Sequence, residues 1–285
     1  MKKLYFHIGT PKTGTTSLKK VLESSSTILE KNNIKYINAN SLLHSIYCEL
    51  STNNERKKYL KPYIVDEGLN EMFEKSNYDK FILVSEWLYA YCTVYDKEIS
   101  SLVFLKKLKR YLSSFELIIT INLRRQDRFL ISLYRHKAEK KLVPDIYNFY
   151  QDNINYFNYY KTLMTIKSIF PKAKVIVHPF NKKNLIENIL GSMKIDNLKL
   201  ATNIDKKNIS RPFGMILLMQ IFYRNFPFLF RNKKANYHFR KVFRLISNIY
   251  FKIFQQTSSR FLTNKFRDEI LNLYRDENAI ISKNF

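Results

Sequence analysis

The sequence predicts an α/β protein with a parallel sheet flanked by helices. Two segments, Lys80–Ser85 and Glu116–Asn122, are apolar runs without alternation, which is typical of parallel strands buried on both faces. Segments with helical spacing lie between the apolar runs, and strands that alternate with helices favour right-handed crossovers in one sheet. Five glycines and seven prolines in 285 residues are too few for a turn-rich all-β protein.

Taken in order, the chain reads as alternating strands and helices followed by a different last third. The predicted elements are a strand at Leu4–Gly9, a helix at 15–31, a short strand at 34–37, a charged helical region at 41–76, a strand at 80–85, a helix at 99–112, a strand at 116–122, a helix that the polar cluster 124–128 opens, an aromatic helical stretch at 146–169, a strand at 173–178 and a helix through Leu190. We predict one domain over 1–285, with an α/β core at 1–200 and basic, aromatic-rich helices at 201–285.

The segment Thr10–Ser17 is the first candidate for a functional site. It follows an apolar strand, contains one lysine, Lys12, among small polar residues, and runs directly into a helical pattern. Backbone N–H groups at such a strand-to-helix turn point at whatever binds there, and the helix dipole favours an anion. An ordinary helix cap is the alternative, but six polar or glycine positions around one lysine favour anion binding. The predicted anion ligands are Lys12, Thr13, Gly14, Thr15, Thr16 and Ser17.

The position of Lys12 separates this loop from the usual P-loop. In G-x-x-x-x-G-K-[ST] the lysine follows the second glycine. Here Gly9 and Gly14 have that spacing, but Thr15 follows Gly14 and the lysine lies two residues before it. A kinase also needs a strand-end acid for its metal, and only Glu86 could serve. We therefore expect Lys12 to contact a group between a nucleotide and a transferred moiety, without a metal ion.

Thr10–Leu18 resembles the 5′-phosphosulfate-binding loop of sulfotransferases that use 3′-phosphoadenosine 5′-phosphosulfate (PAPS), in particular the bacterial, carbohydrate-type members. That family's second motif is an arginine at a strand end and a serine eight residues later; both bind the 3′-phosphate. Arg124 and Ser132 have this spacing, and Arg125 competes with Arg124 by adjacency. The resemblance implies a P-loop-like parallel sheet, PAPS as cofactor, and transfer of a sulfuryl group by in-line displacement to a hydroxyl or amine of a glycan.

Glu86 is the predicted catalytic base, together with Lys12 as the catalytic cation. It follows the apolar strand that ends at Ser85, and family members present a catalytic glutamate from a similar strand. A carboxylate in the crevice could take the proton from an acceptor hydroxyl; the alternative is an acid that only stabilises a helix N-terminus. The histidines His7, His136 and His178 rank below it, and His7 is expected to pack inside the first strand.

The charge balance predicts polyanionic partners. Forty-nine Lys and Arg against twenty-four Asp and Glu give a net charge of +25. For the basic, aromatic last third the first interpretation is a solvated cationic surface around an aromatic core. The alternatives are a groove for the glycan acceptor and attachment to anionic membrane through Met215–Phe230 as an amphipathic helix. We expect no nucleic-acid partner, because no such module is recognisable. No run of about 18 uncharged apolar residues occurs, so the expected location is the cytoplasm, with attachment to the inner face of the membrane as an alternative.

Two other functions are alternatives to sulfuryl transfer. One is a P-loop kinase or nucleotide-binding enzyme, and the other is a non-enzymatic basic protein that binds membrane or polyanion.

Overall fold

The structure is a computed structural model. It describes residues 1–39 except Lys12, 76–86, 101–200 except Lys182, 213–227 and 262–285, with the single positions 43, 46, 50, 73, 88, 89, 237–239, 241, 242, 245 and 246. The predicted helical region at 41–76 therefore lies mostly outside the described residues.

Five parallel strands form one sheet in the order β2-β3-β1-β4-β5. The strands are β1 (Lys3–Gly9), β2 (Ile34–Asn38), β3 (Lys80–Ser85), β4 (Glu116–Leu123) and β5 (Lys174–Pro179). Every pair is parallel, and β1 lies in the centre with Ile8 beside Ser85 of β3 and Ile121 of β4. The prediction of a parallel α/β sheet flanked by helices is confirmed.

Ten α-helices have bounds that the described residues define. They are α1 (Thr15–Ser24), α2 (Ser26–Lys31), α3 (Ser101–Tyr111), α4 (Gln126–Ala138), α5 (Ile146–Asp152), α6 (Tyr159–Ile169), α7 (Leu185–Ser192), α8 (Phe213–Asn225), α9 (Asn264–Leu273) and α10 (Arg275–Asn284).

The single helix predicted at 15–31 is wrong, because the chain forms two helices there. The backbone of Ser25 leaves the helical region, with φ −108° and ψ 15°. The hydroxyl of Ser24 donates to the carbonyl of Lys20 at 2.7 Å, and serine side chains that bond to nearby backbone in this way compete with the helix. The stretch at 146–169 is likewise interrupted between α5 and α6 by a short 3₁₀ turn, Ile154–Tyr156.

The apolar core on one face of the sheet holds α1 and α7 in place. Tyr5, Ile82 and Ile118 on the strands pack with Leu18 and Leu22 of α1 and with apolar residues of α7 in one buried cluster. These strand positions are register partners, so their side chains point to the same face. The cluster places the start of α1, and hence the loop before it, at the carboxyl edge of the sheet.

The described chain divides into two compact units. The sheet unit comprises Met1–Arg125, Asn158–Ile204 and Asp276–Phe285, and the helical unit comprises Gln126–Phe157 and Asp205–Arg275. The prediction of one domain with a boundary near 200 stays a prediction. Among the described helices, none is both long enough and apolar enough to cross a membrane.

Candidate anion site at the carboxyl edge of the sheet

Strand order places the β1–α1 loop and Glu86 at the same crevice. After β1 the chain runs to β2, at one edge of the sheet, whereas after β3 it runs in the opposite direction along the sheet, to β4. Neighbouring parallel strands whose connections diverge in this way open a crevice outside their carboxyl ends, and doubly wound sheets bind ligands there. Because β1 and β3 are hydrogen-bonded neighbours, the loop after Gly9 and the residue after Ser85 both border that crevice.

Two threonine hydroxyls hold the loop in shape. Oγ1 of Thr10 donates a hydrogen bond of 2.7 Å to the backbone carbonyl of Asn122 on β4. Oγ1 of Thr13 donates to the backbone carbonyl of Thr10 at 2.6 Å, and both threonine side chains are buried. The loop is therefore anchored to the strand that precedes Arg124. That Thr13 also contacts the cofactor stays a prediction.

Both glycines of the loop are required because a neighbouring side chain lies too close to leave room for a Cβ atom. A Cβ atom at Gly9 would lie 1.8 Å from Oγ1 of Thr15. Gly14 has φ +83°, in the left-handed region that only glycine adopts freely, and a Cβ there would lie 2.2 Å from Cδ2 of Leu185 on α7. These contacts explain the G-x-x-x-x-G spacing by packing alone, independently of any ligand.

The start of α1 is equipped to receive an anion. Gly14 is the N-cap residue and has no side chain that could accept from the first N–H groups of the helix. The N–H of Ser17 donates to the backbone carbonyl of Gly14 at 2.9 Å, whereas the N–H groups before it have no acceptor inside the helix, and the positive end of the helix dipole lies beside them. Oγ1 of Thr15 is buried and, within the part of the chain described, also has no hydrogen-bond partner. Thr16 is exposed and Ser17 is half-buried, so the hydroxyl groups of these three residues differ in their exposure to solvent.

Lys12 lies outside the described residues. Its predicted roles as anion ligand and catalytic cation stay predictions. Pro11 and Thr13 on either side of it are described.

Glu86 is half-buried directly after β3, and its charge acts on a lysine of α1. The carboxylate of Glu86 acts on Lys19: burial lowers the pKa of Lys19, and the charges of Glu86 and Glu23 oppose that shift. Oγ of Ser85 accepts a hydrogen bond from the backbone N–H of Leu88 at 3.3 Å, as in a helix cap. Glu86 thus satisfies the geometry of a first-turn acid and also borders the crevice.

Arg124 and Arg125 differ in their surroundings although they are adjacent. The guanidinium of Arg124 lies over the ring of Phe180, with Cζ 5.1 Å from the ring centroid. The backbone carbonyl of Arg124 accepts a hydrogen bond of 2.6 Å from the hydroxyl of Tyr159. Arg124 is half-buried and Arg125 is exposed. Stacking and a backbone anchor preorganise Arg124, so it is the better candidate for a fixed anion ligand.

Ser132 and His136 belong to the helical unit, whereas Arg124 belongs to the sheet unit. Both side chains are half-buried on α4. Nε2 of His136 lies 2.9 Å from Nζ of Lys140, one turn later. The pairing of Ser132 with Arg124 on one phosphate stays a prediction from their spacing.

Sequence reasoning named His7 and His178 but missed that they form a row of polar side chains with Thr120 and Asn122 behind the loop. Nδ1 of His7 on β1 lies 3.0 Å from Oγ1 of Thr120 on β4. Asn122 and His178 are register partners on β4 and β5, and Asn122 is also the partner of Gly9. Among the described residues, Nε2 of both histidines and both side-chain polar atoms of Asn122 lack hydrogen-bond partners. The sequence could have indicated this row, because Thr120 and Asn122 are polar residues at alternate positions of an otherwise apolar strand.

Burial decides the ionisation of His7. Its side chain is fully buried, and burial together with the charge of His178 lowers the pKa of His7 to about 3. The expectation that His7 packs inside the strand is confirmed. Because this imidazole is fully buried, it does not contact a substrate in the crevice and cannot act directly as its base.

No protein-family model and no curated protein matches this chain.

Proposed function

We propose that the protein is a sulfotransferase that transfers a sulfuryl group from PAPS to a hydroxyl or amine of a glycan, on a P-loop-like version of the parallel fold. The observation that carries the proposal is the glycine-spaced, uncapped helix start of α1 at the carboxyl edge of the sheet, tied through Thr10 to the strand that leads into Arg124. One end of this arrangement offers backbone donors and the other a stacked guanidinium. A nucleotide with charged groups at its 5′ and 3′ ends matches both.

The residues present fit such a donor. Gly14 is the N-cap residue of α1, and the N–H groups of the helix turn that follows it can donate to a phosphate. The orphaned Oγ1 of Thr15 supplies a further donor. Arg124 and Ser132 would hold the 3′-phosphate, and Lys12 with the amides of residues 14–16 and the side chain of Ser17 would hold the 5′ end. When bound, PAPS supplies a sulfuryl group attached to a leaving phosphate.

The chain's own contribution to chemistry is charge placement and proton removal. Glu86 would accept the proton of the acceptor hydroxyl, which makes the oxygen a better nucleophile. Lys12 and the helix N-terminus would stabilise the negative charge that develops on the transferred group and on the leaving oxygen. No residue in this scheme has to bind a metal ion.

Isothermal titration calorimetry with adenosine 3′,5′-bisphosphate and with ATP–Mg²⁺ tests the proposal. Tight, metal-independent binding of the bisphosphate, with weaker binding of ATP, is the expected result. A preference for ATP–Mg²⁺ would replace the proposal with a P-loop kinase, and binding of neither would leave only a polyanion-binding protein.

Lys12→Ala separates chemistry from folding in the same assay series. The variant should keep the circular dichroism spectrum and thermal transition of the wild type but lose sulfuryl transfer by about a thousandfold or more. Near-normal turnover would refute the role of Lys12. Lys20→Ala, an exposed lysine on the next helix, is the matched control and should retain full activity.

A further inference from the structure

Helix α8 is held with one side facing into the helical unit. The side chain of Gln220 fixes it: Nε2 donates to the backbone carbonyls of Ala138 and Lys141 at 2.7 and 3.0 Å, and Oε1 accepts from the N–H of Val143 at 2.9 Å. On the same side Met219 is fully buried. With three hydrogen bonds on that one side chain, α8 is not free to rotate.

The opposite side of α8 is apolar and exposed. Leu217, Leu218 and Ile221 are 50%, 44% and 47% exposed. A helix that is apolar all round is normally buried or in contact with lipid. Here the inner half is buried in protein, and the outer half presents three large aliphatic side chains.

A second apolar strip lies in the same part of the helical unit. Val242, Leu245 and Ile246 have helical backbone and are 55%, 65% and 45% exposed. Phe239, one turn earlier, packs its ring against those of Phe222 and Tyr223 on α8, at centroid distances of 5.7 and 5.4 Å. We call the six exposed aliphatic residues of α8 and of this strip the outer apolar surface: Leu217, Leu218, Ile221, Val242, Leu245 and Ile246.

The stretch of sequence that contains the outer apolar surface carries charge of one sign. From Arg211 to Arg267 the sequence contains twelve Lys and Arg and no Asp or Glu. Of these, Arg224 lies one turn after Ile221 and Lys241 precedes Val242, and both are exposed. The partner of this surface must therefore accept aliphatic side chains and several cations at once.

We propose that the outer apolar surface docks on the interface of an anionic lipid bilayer. Acyl chains accept the aliphatic residues, and anionic headgroups attract the lysines and arginines around them. A nucleic acid offers phosphates but no apolar layer for leucine and isoleucine. A second copy of the chain carries the same net charge of +25 and would be repelled. The protein lies on the bilayer rather than across it, and this inference is independent of the proposed sulfuryl transfer.

Flotation of the full chain with lipid vesicles tests the proposal. The wild type should float with vesicles that contain phosphatidylglycerol, remain at the bottom with vesicles of phosphatidylcholine alone, and be partly released by high salt. The double variant Leu217→Asp/Ile221→Asp should lower the apparent partition coefficient by about tenfold or more, since it removes two apolar anchors and adds two negative charges. Leu273→Asp, at a 61% exposed leucine on α9, is the matched control and should bind like the wild type.

Three results would overturn the proposal. They are absence of binding to the anionic vesicles, equal loss of binding in the double variant and the Leu273→Asp control, and a concentration-dependent dimer that the double variant abolishes. A second measurement does not depend on those charge substitutions. Leu218→Trp should be quenched by brominated anionic lipid well beyond the wild type, whereas Leu273→Trp should show no such excess, and equal quenching of the two would also refute docking.

Discussion

The hydroxyl of Thr10 donates a hydrogen bond of 2.7 Å to the backbone carbonyl of Asn122, 112 residues away in the chain. Both atoms are buried, and the bond joins the β1–α1 loop to the strand that leads into Arg124. Two predicted parts of the donor site therefore share one rigid connection. Any change to this bond should affect the shape of the loop and its distance from the arginine.

Thr10→Val should weaken both folding and donor binding. Valine keeps the shape of threonine but leaves the carbonyl of Asn122 without this donor, which should lower the free energy of unfolding by about 1–2 kcal/mol. Urea denaturation measures the stability, and calorimetry with the bisphosphate measures binding. Thr10→Ser keeps the hydroxyl and is the control. If valine and serine behave alike, the bond does not support the site.

Gly14→Ala should be strongly destabilising. A side chain at φ +83° costs about 1–2 kcal/mol in backbone strain alone, and its Cβ would also displace Leu185. Gly191→Ala on α7 is the matched control, since a Cβ there meets nothing within 4 Å, and it should raise helix stability by up to about 1 kcal/mol. Thermal unfolding of the two variants should shift in opposite directions, and a neutral Gly14→Ala would contradict the described loop.

Arg124→Ala should weaken binding of adenosine 3′,5′-bisphosphate by about tenfold to a hundredfold, the usual effect of removing a charged hydrogen-bond donor. Arg125→Ala should change it by less than about threefold, because Arg125 is exposed and removing a solvent-exposed charge costs little. Calorimetry gives both values under one condition. The reverse ranking would transfer the predicted role to Arg125.

Glu86→Gln should lower turnover by about a hundredfold or more while donor affinity is kept, because only proton removal is lost. Glu23→Gln is the control, since Glu23 is the other carboxylate that acts on Lys19 and should not affect turnover. Steady-state assays with a glycan acceptor separate kcat from KM. Full activity of Glu86→Gln would indicate that the acceptor is deprotonated by another group.

His7 makes the stability of the fold depend on pH. Its pKa is about 3 in the folded protein and near 6.5 when unfolded. Between these values the unfolded chain binds a proton that the folded chain does not, so stability falls as the pH falls through this window and is unaffected above it. From pH 6.5 to 5 the wild type should lose about 2 kcal/mol more than His7→Asn. Equal losses in urea titrations would contradict a neutral buried His7.

Local patterns predicted the strands but not every helix boundary. The bounds of β3 match the predicted apolar run because continuous apolar residues next to polar ends have few alternatives to a buried strand. The break at Ser25 was missed because serine is tolerated within helices, although its side chain competes for backbone groups there, as that of Ser24 does.

By itself, the sequence determined the parallel α/β class and the existence of a glycine-spaced loop between the first strand and helix, since both depend on residues close together in the chain. Tertiary structure decided which side chains complete the site. The strand order brings β3 and β4 to either side of β1, the contact with Phe180 distinguishes Arg124 from Arg125, and Thr120 and His178 surround His7. These relations join residues distant in sequence, and they arise because strand pairing decides which side chains become neighbours.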